Sequence, residues 1–207
     1  MYPGVFLAYL HAVMPRPMAL LLYLLVLFCA AGLSAQSHGS RTIDPAQSTI
    51  TIHVFRTGFF SAFGHDHEIR APISHGTFNE GDTPSVELTV ESRKLTVEDK
   101  GASPKDKAQI HSDMLGPKVL DTERYPHITF RSTNIESAAA GRWRVHGDLS
   151  LHGQTQPVTL DVAGSEGRYR GSTTLRQKDF GITPISVAGG TVKVKNEIKI
   201  EFQIVGE

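Results

Sequence analysis

Cysteine is nearly absent from this sequence. The only one, Cys29, lies in an apolar stretch near the N-terminus. The chain that follows this stretch has no thiol, which excludes a disulfide framework and a cysteine nucleophile from it. We therefore expect a packed core and a hydrogen-bonded sheet to provide its stability.

An excess of either charge is also lacking. Lys+Arg and Asp+Glu both number 21, and the net charge is zero. Without a basic surplus, a nucleic-acid partner is not expected. Apolar residues make up 40% of the chain and charged residues 20%, which is typical of a folded protein rather than a disordered one.

Signatures of catalysis are missing as well. The sequence has no Gly-x-Ser-x-Gly elbow, and Ala188-Gly189-Gly190 lies between predicted strands with no helix after it, unlike a phosphate-binding loop. Asp66 and His65 resemble two members of a catalytic triad, but no nucleophile can be assigned beside them. We expect no enzymatic activity and no cofactor, and a hydrolase is the remaining enzymatic alternative.

The N-terminus has the pattern of an export signal. Residues 18–31 carry no charge, Arg16 precedes them, and small residues up to Ala35 offer a cleavage site. We predict a signal peptide over residues 1–35, in which 1–13 is a spurious leader if Met14 or Met18 is the true start. The mature protein is then periplasmic or secreted. A membrane anchor is the alternative, although a span needs about 20 apolar residues.

The remaining chain alternates between apolar and polar residues. In residues 192–204 the apolar side chains share one parity and the charged ones the other, which indicates a strand with one buried face. Asn196 interrupts the apolar face and predicts a bulge or a polar contact. The same alternation recurs near residues 50, 88, 129, 147, 160 and 172.

This repetition predicts an all-β fold. Seven or eight amphipathic strands joined by short turns favour a closed antiparallel barrel of about eight strands over residues 36–207. A short helix and loop are expected near 103–121, with Ser103 as the cap, Pro104 in the first turn and Met114 on the buried face. A disordered loop is the alternative for the first half of that segment.

Four segments, in this order and spacing, resemble the YceI-like family. They are Thr42-Ile43-Asp44-Pro45, the segment from Tyr125-Pro126 to Thr133, the hairpin from Val145 to Gly153 followed by Pro157-Val158, and Lys178-Asp179-Phe180-Gly181-Ile182. The resemblance implies a lipocalin-like barrel that binds a polyisoprenoid or another apolar lipid. It implies a carrier or storage role, and transient contact with a membrane would suit such a role.

The candidate ligand-binding residues are the inward apolar set with two histidines at the mouth of the barrel. Aliphatic and aromatic walls favour an alkyl or isoprenoid chain, although the same residues could simply pack a dry core. The set is Ile52, Val54, Phe63, Val86, Leu88, Ile128, Phe130, Trp143, Val145, Leu149, Leu160, Phe180, His65 and His67.

The 10 histidines support a rival hypothesis. His65 and His67, with His75, His111 and His127, could supply ligands for zinc, copper or nickel, so the alternative is a His-rich metal-binding or purely structural barrel. However, a His-x-His pair fixes only two ligands, and we commit to no metal residue. His53, His146 and His152 fall on the outward parity of their strands, where we expect them to be solvated.

Overall fold

The alternating segments form strands in the computed structural model, which describes residues 39–57, 66–187 and 192–207. The longer strands are β2 (Thr49–Thr57), β4 (Ile73–Asn79), β5 (Ser85–Glu91), β7 (His127–Ala139), β8 (Arg142–Leu151), β9 (Gln154–Ser165), β10 (Arg168–Arg176) and β12 (Val192–Val205). The shorter ones are β1 (Ser40–Thr42), β3 (His67–Arg70), β6 (Thr96–Val97) and β11 (Ser186–Val187). The sheet thus has twelve strands within the described residues, modestly more than the predicted eight or so, because four short strands accompany the eight long ones.

The strands form one antiparallel sheet that curls into a barrel. Its order is β1-β4-β5-β7-β8-β9-β10-β12-β2-β3-β6, and β11 pairs with β12. Because β3 and β4 are nearly continuous, this stretch pairs first with β2 and then with β5. At one end, β1 joins β4 to the end of β12 through the Ile43–Gly206 bridge and a 3.0 Å bond from the Glu207 amide to the Thr42 carbonyl.

The predicted irregularity in β12 is present. The register of β12 against β2 shifts between Val194 and Ile198, as a bulge requires. Asn196 lies within the bulge, and its side-chain oxygen accepts a 3.0 Å hydrogen bond from the Lys178 backbone amide. The bulge keeps Ile198 and the later apolar residues on the inward parity. The hydrogen bond to Lys178 satisfies the side-chain oxygen of Asn196.

One helix, α1 (Pro104–Leu115), occupies the segment where a short helix was predicted. Ser103 caps it by accepting a 3.1 Å hydrogen bond from the Asp106 amide. Pro104 lacks a backbone N–H, which is tolerated because amides in the first turn have no acceptor within the helix. Met114 is buried against Leu95 and other core residues, so α1 packs over one end of the barrel. We call this the helix end.

The opposite end carries the β4–β5, β7–β8 and β9–β10 turns, and we call it the hairpin end. A small core formed by Ile43, Ile73, Phe78 and Ile204 lies near this end. The Asp44 carboxylate fixes the adjacent turn by accepting hydrogen bonds from the Ala46 and Gln47 amides. The predicted signal peptide lies outside the described residues, and no helix within them is long and apolar enough to cross a membrane.

Candidate ligand-binding cavity

The inward faces of the strands surround a cavity of about 410 Å³. Packed interiors contain few voids larger than a water molecule, and this volume lies in the range of ligand pockets. Eleven of the predicted binding residues line it: Ile52, Val54, Val86, Leu88, Ile128, Phe130, Trp143, Val145, Leu149, Leu160 and Phe180. Most of the predicted set therefore lies in the wall, while Phe63 and His65 lie outside the described residues.

The cavity extends along most of the barrel. Trp143 and Leu151, near the two ends of β8, both line it. Eight residue steps at about 3.3 Å each span about 26 Å along the strand. With a strand tilt of about 40°, the corresponding length along the barrel axis is about 20 Å. This shape suits a long, slim molecule better than a compact one.

Two glycines on the inward parity are covered by aromatic rings. A Cβ at Gly147 would lie 2.5 Å from Phe130 Cζ, and one at Gly171 would lie 2.5 Å from Phe202 Cζ. Since Phe130 and Phe202 also line the cavity, the glycines let the rings lie against the wall rather than across the lumen. The open volume of the cavity thus depends on Gly147 in β8 and on Gly171 in β10, which leave room for these rings.

A buried apolar cluster lies at the helix end of the cavity wall. Phe180 is 2% exposed and packs with Leu95, Met114, Leu175 and Ile182. The 3-10 turn Gln177–Phe180 is held by the Gln177 side-chain amide, which donates a 2.7 Å hydrogen bond to the Lys195 carbonyl.

Several segments of the family resemblance meet at this end. The Tyr125 ring lies against Gly153, a turn residue with a φ of 72°. His152 Nδ1 lies 3.0 Å from the Phe180 carbonyl oxygen, and the His152 and Tyr125 rings stack edge to face. These residues therefore pack together at the helix end.

At the hairpin end the cavity wall contains a buried carboxylate. Glu80 is the only charged residue lining the cavity in the described ranges, and its side chain is 10% exposed. It accepts hydrogen bonds from Arg41 Nε at 2.7 Å, from the Gly167 amide at 2.8 Å and from the Tyr169 hydroxyl at 2.5 Å. The three donors come from β1, the β9–β10 turn and β10, so Glu80 ties the β4–β5 turn to the rest of this end.

The contacts of Glu80 shift two pKa values. Burial acts to raise the pKa of Glu80, but the hydrogen bonds from Tyr169, Gly167 and Arg41 and the charge of Arg41 outweigh it, so the pKa falls below its usual value. Burial, with the bond to Glu80, raises the pKa of Tyr169 well above its usual value. The carboxylate is therefore ionised and the phenol neutral at neutral pH.

A second polar group lies just beyond the helix end of the lining. Arg56 follows Val54 on the inward parity of β2, and His67 precedes Ile69 on the same parity of β3. Arg56 was not among the predicted binding residues, because the predicted inward set on this strand ended at Val54. Extending the alternation by one more residue pair would have placed a positive charge on this face. His67 lies outside the cavity lining and instead contacts the buried Asp99.

The other histidines are dispersed. His53 Nε2 lies 3.1 Å from Glu201 Oε2, and His146 Nδ1 lies 3.0 Å from Thr159 Oγ1, both on the outer face as predicted. The expectation for His152 was wrong, since it occupies the β8–β9 turn with a φ of 51° and is half-buried. His111 bonds to the Leu95 carbonyl. No group of three potential metal ligands occurs among the described residues.

Comparison with known sequences places these features in context. The profile of the YceI-like domain matches residues 42–206. A UPF0312 protein of Vibrio cholerae is 28% identical over 166 residues, which cover 75% of this chain and 82% of the relative. One from Pseudomonas savastanoi pv. phaseolicola is 34% identical over 121 residues, covering 52% of this chain and 63% of the relative.

Solved structures share the fold. The crystal structure of Burkholderia cenocepacia BcnA aligns with a TM-score of 0.61 at 18% identity, over 80% of this chain and 99% of that one. A polyisoprenoid binding domain from Saccharophagus degradans, implicated in plant cell wall breakdown, aligns with a TM-score of 0.52 at 12% identity, over 80% and 97%. At these identities the alignments show the fold alone.

Proposed function

Since the chain belongs to the YceI-like family, we propose that it binds a long apolar lipid, such as a polyisoprenoid, inside the barrel. The cavity of about 410 Å³ with its aliphatic and aromatic lining carries this proposal. The protein acts as a carrier or store that holds the lipid without altering it chemically. The S. degradans neighbour, described as a polyisoprenoid binding domain, supports the choice of lipid class.

The dimensions of the cavity favour a ligand over a dry core. A barrel of about eight strands either fills with its own side chains or encloses one slim ligand. Here the lumen stays open along about 26 Å of β8, measured by the rise per residue. An extended alkyl chain advances by about 1.3 Å per C–C bond, so roughly 15 carbons match the axial length of about 20 Å.

The energy of burial is sufficient for stable binding. Each buried CH₂ contributes about 0.8 kcal/mol, so roughly 15 carbons give on the order of 12 kcal/mol before the costs of association. Those costs are several kcal/mol for a flexible ligand. With costs of about 4 kcal/mol, about 8 kcal/mol remain, so a dissociation constant in the micromolar range is expected for a well-matched chain.

The proposal includes export. The uncharged residues 18–31, preceded by Arg16 and followed by small residues, support cleavage near Ala35 and a periplasmic or secreted mature protein. A carrier in that location would collect its lipid by transient contact with a membrane. N-terminal sequencing of the mature protein from its host tests this part separately, and a mature chain that begins before residue 18 would contradict it.

Filling the cavity tests the binding proposal. Leu160 faces the lumen, and its neighbour Thr159 is exposed on the outer face of β9. We expect Leu160→Trp to occupy the lumen and reduce binding of geranylgeraniol at least ten-fold in a titration followed by native mass spectrometry. Thr159→Trp places the same side chain outside and serves as the matched control.

Two results would contradict the proposal. One is a wild-type protein that binds neither polyprenol nor a fatty alcohol. The other is equal binding by the Leu160→Trp and Thr159→Trp variants while both retain the wild-type circular dichroism spectrum. Only the first substitution reduces the volume available to a ligand in the lumen, so only that variant should bind more weakly.

A further inference from the structure

The polar residues just beyond the helix end of the cavity lining have unused bonding capacity. Arg56 Nη1 is buried and has no hydrogen-bond partner within the part of the chain that the structure describes. The other contacts of this residue involve Asp66, whose Oδ1 lies 3.9 Å from Arg56 Nε and accepts the Arg56 backbone amide at 3.0 Å. Because a buried cationic donor without an acceptor is costly, its persistence here points to a ligand atom.

His67 lies on the neighbouring strand and is held in one orientation. Its Nδ1 lies 2.6 Å from Asp99 Oδ2, and Asp99 Oδ1 accepts the Glu68 amide, also at 2.6 Å. The Asp99 side chain is only 3% exposed, so the carboxylate is fixed and both its oxygens are engaged. Bonding at Nδ1 leaves Nε2 on the opposite edge of the ring, where it can contact a ligand.

The register brings the two residues together at the rim of the lumen. His67 pairs with Val54, and Ile69 pairs with Ile52, so Arg56 is the next inward position on β2 after the pair. Val54, Ile52 and Ile69 line the cavity. A molecule that lies along the lumen would therefore meet Arg56 and His67 where the apolar wall ends.

We propose that Arg56 and His67 bind the oxyanion head group, a phosphate or carboxylate, of the lipid whose chain occupies the cavity. The inference rests on the proposed function and specifies its substrate class as an anionic amphiphile. Arg56 Nη1 supplies a charge-assisted donor to a head-group oxygen. His67, whose Nδ1 bonds to Asp99, presents Nε2 as the second hydrogen-bonding atom for the head group, so Asp99 is a positioning residue.

The nearby charged groups do not engage Arg56 Nη1 in the part of the chain that the structure describes, although Asp66 pairs with Arg56 Nε. Asp99 is already engaged by His67 and by the Glu68 amide, and Asp66 is 54% exposed. Glu80, the charged residue in the lining, belongs to the hairpin end and is paired with Arg41. The head group is thus expected at the helix end rather than at the hairpin end.

Matched ligands test the proposal. Geranylgeranyl phosphate, geranylgeraniol and inorganic phosphate are titrated against the wild-type protein and against Arg56→Met, His67→Gln and Arg170→Met. Arg170 is exposed on β10 near the hairpin end and serves as the control for loss of a positive charge. The wild type should bind the phosphate ester about ten- to hundred-fold more tightly than the alcohol, as expected for charged hydrogen bonds.

The variants identify the source of this preference. Arg56→Met should abolish it and His67→Gln should reduce it, whereas both variants bind the alcohol as the wild type does and Arg170→Met keeps the full preference. If one of the two variants does not fold, judged by its unfolding curve, the other decides. A wild type with equal affinity for ester and alcohol, or a preference that survives in both variants, would overturn the proposal while leaving the cavity function intact.

Two further results are decisive. If inorganic phosphate alone binds with the same dependence on Arg56 and displaces the ester without displacing the alcohol, the site recognises free phosphate and the head-group assignment is wrong. If neither the ester nor the alcohol binds, the proposed function itself fails, and the head-group site fails with it.

Discussion

The Glu80 cluster gives the most quantitative prediction for stability. In Glu80→Gln the side chain keeps its shape but loses its charge, and its amide nitrogen cannot accept the bond from Arg41. Arg41 is 35% exposed, so solvent screens its ion pair with Glu80 and the pair contributes little to the loss of stability. Most of the loss comes from the Gly167 amide and the Tyr169 hydroxyl, whose bonds to a charged acceptor weaken to bonds to a neutral one.

A hydrogen bond to a charged group contributes about 1.5–3 kcal/mol and a neutral one about 1 kcal/mol. We therefore expect Glu80→Gln to reduce the free energy of unfolding by about 2 kcal/mol at pH 7. For a domain of this size, that corresponds to a fall in Tm of about 4–8 °C. Urea and thermal unfolding measure both values, and Glu87→Gln, an exposed change on the adjacent β5, should alter stability by less than about 0.5 kcal/mol.

The difference should also depend on pH. The pKa of Glu80 lies below its ordinary value of 4.5, so the carboxylate stabilises the fold fully above that pH. The contribution is lost as the pH falls through the lower folded-state pKa, where Glu80 takes up a proton. Wild type and variant should therefore converge in acid. A variant as stable as the wild type at pH 7, or a gap that does not narrow in acid, would refute this reasoning.

Three further substitutions should change stability by amounts that equilibrium urea unfolding can resolve. Ser103→Ala removes the cap of α1 and should cost about 1 kcal/mol, whereas an unchanged midpoint would mean that the cap is dispensable. Gly147→Val places a side chain against the Phe130 ring and should cost about 1–3 kcal/mol or more, and a neutral effect would show that the ring moves freely. Asn196→Ala removes the bond from the Lys178 amide and should cost about 1 kcal/mol; no loss would contradict a structural role for the bulge contact.

Much of the barrel was predictable from the sequence because strand alternation is a local signal. One parity of β8 and β9 is apolar, and that parity faces the lumen, so residues such as Trp143, Val145 and Leu160 could be assigned without coordinates. Asn196 was recognised as a break for the same reason. The cap of α1 was visible because Ser103, Pro104 and Asp106 form a local pattern.

The polar contacts at the two ends could not be predicted in this way. Glu80 meets Arg41 and Tyr169 across 39 and 89 residues of sequence, and nothing in the local pattern signals that encounter. His67 and Asp99 are brought together only by the pairing of β3 with β6. Likewise, alternation indicates which side chains face inward but not whether they meet and fill the lumen.

The central claim is that the cavity holds a lipid, and native mass spectrometry of protein purified from its host tests it most directly. The account predicts a population whose mass exceeds that of the mature chain by one apolar lipid, which dissociates intact on activation and is absent from Leu160→Trp. Protein that carries no lipid, or only a metal ion, and that takes up no polyprenol added afterwards would contradict it.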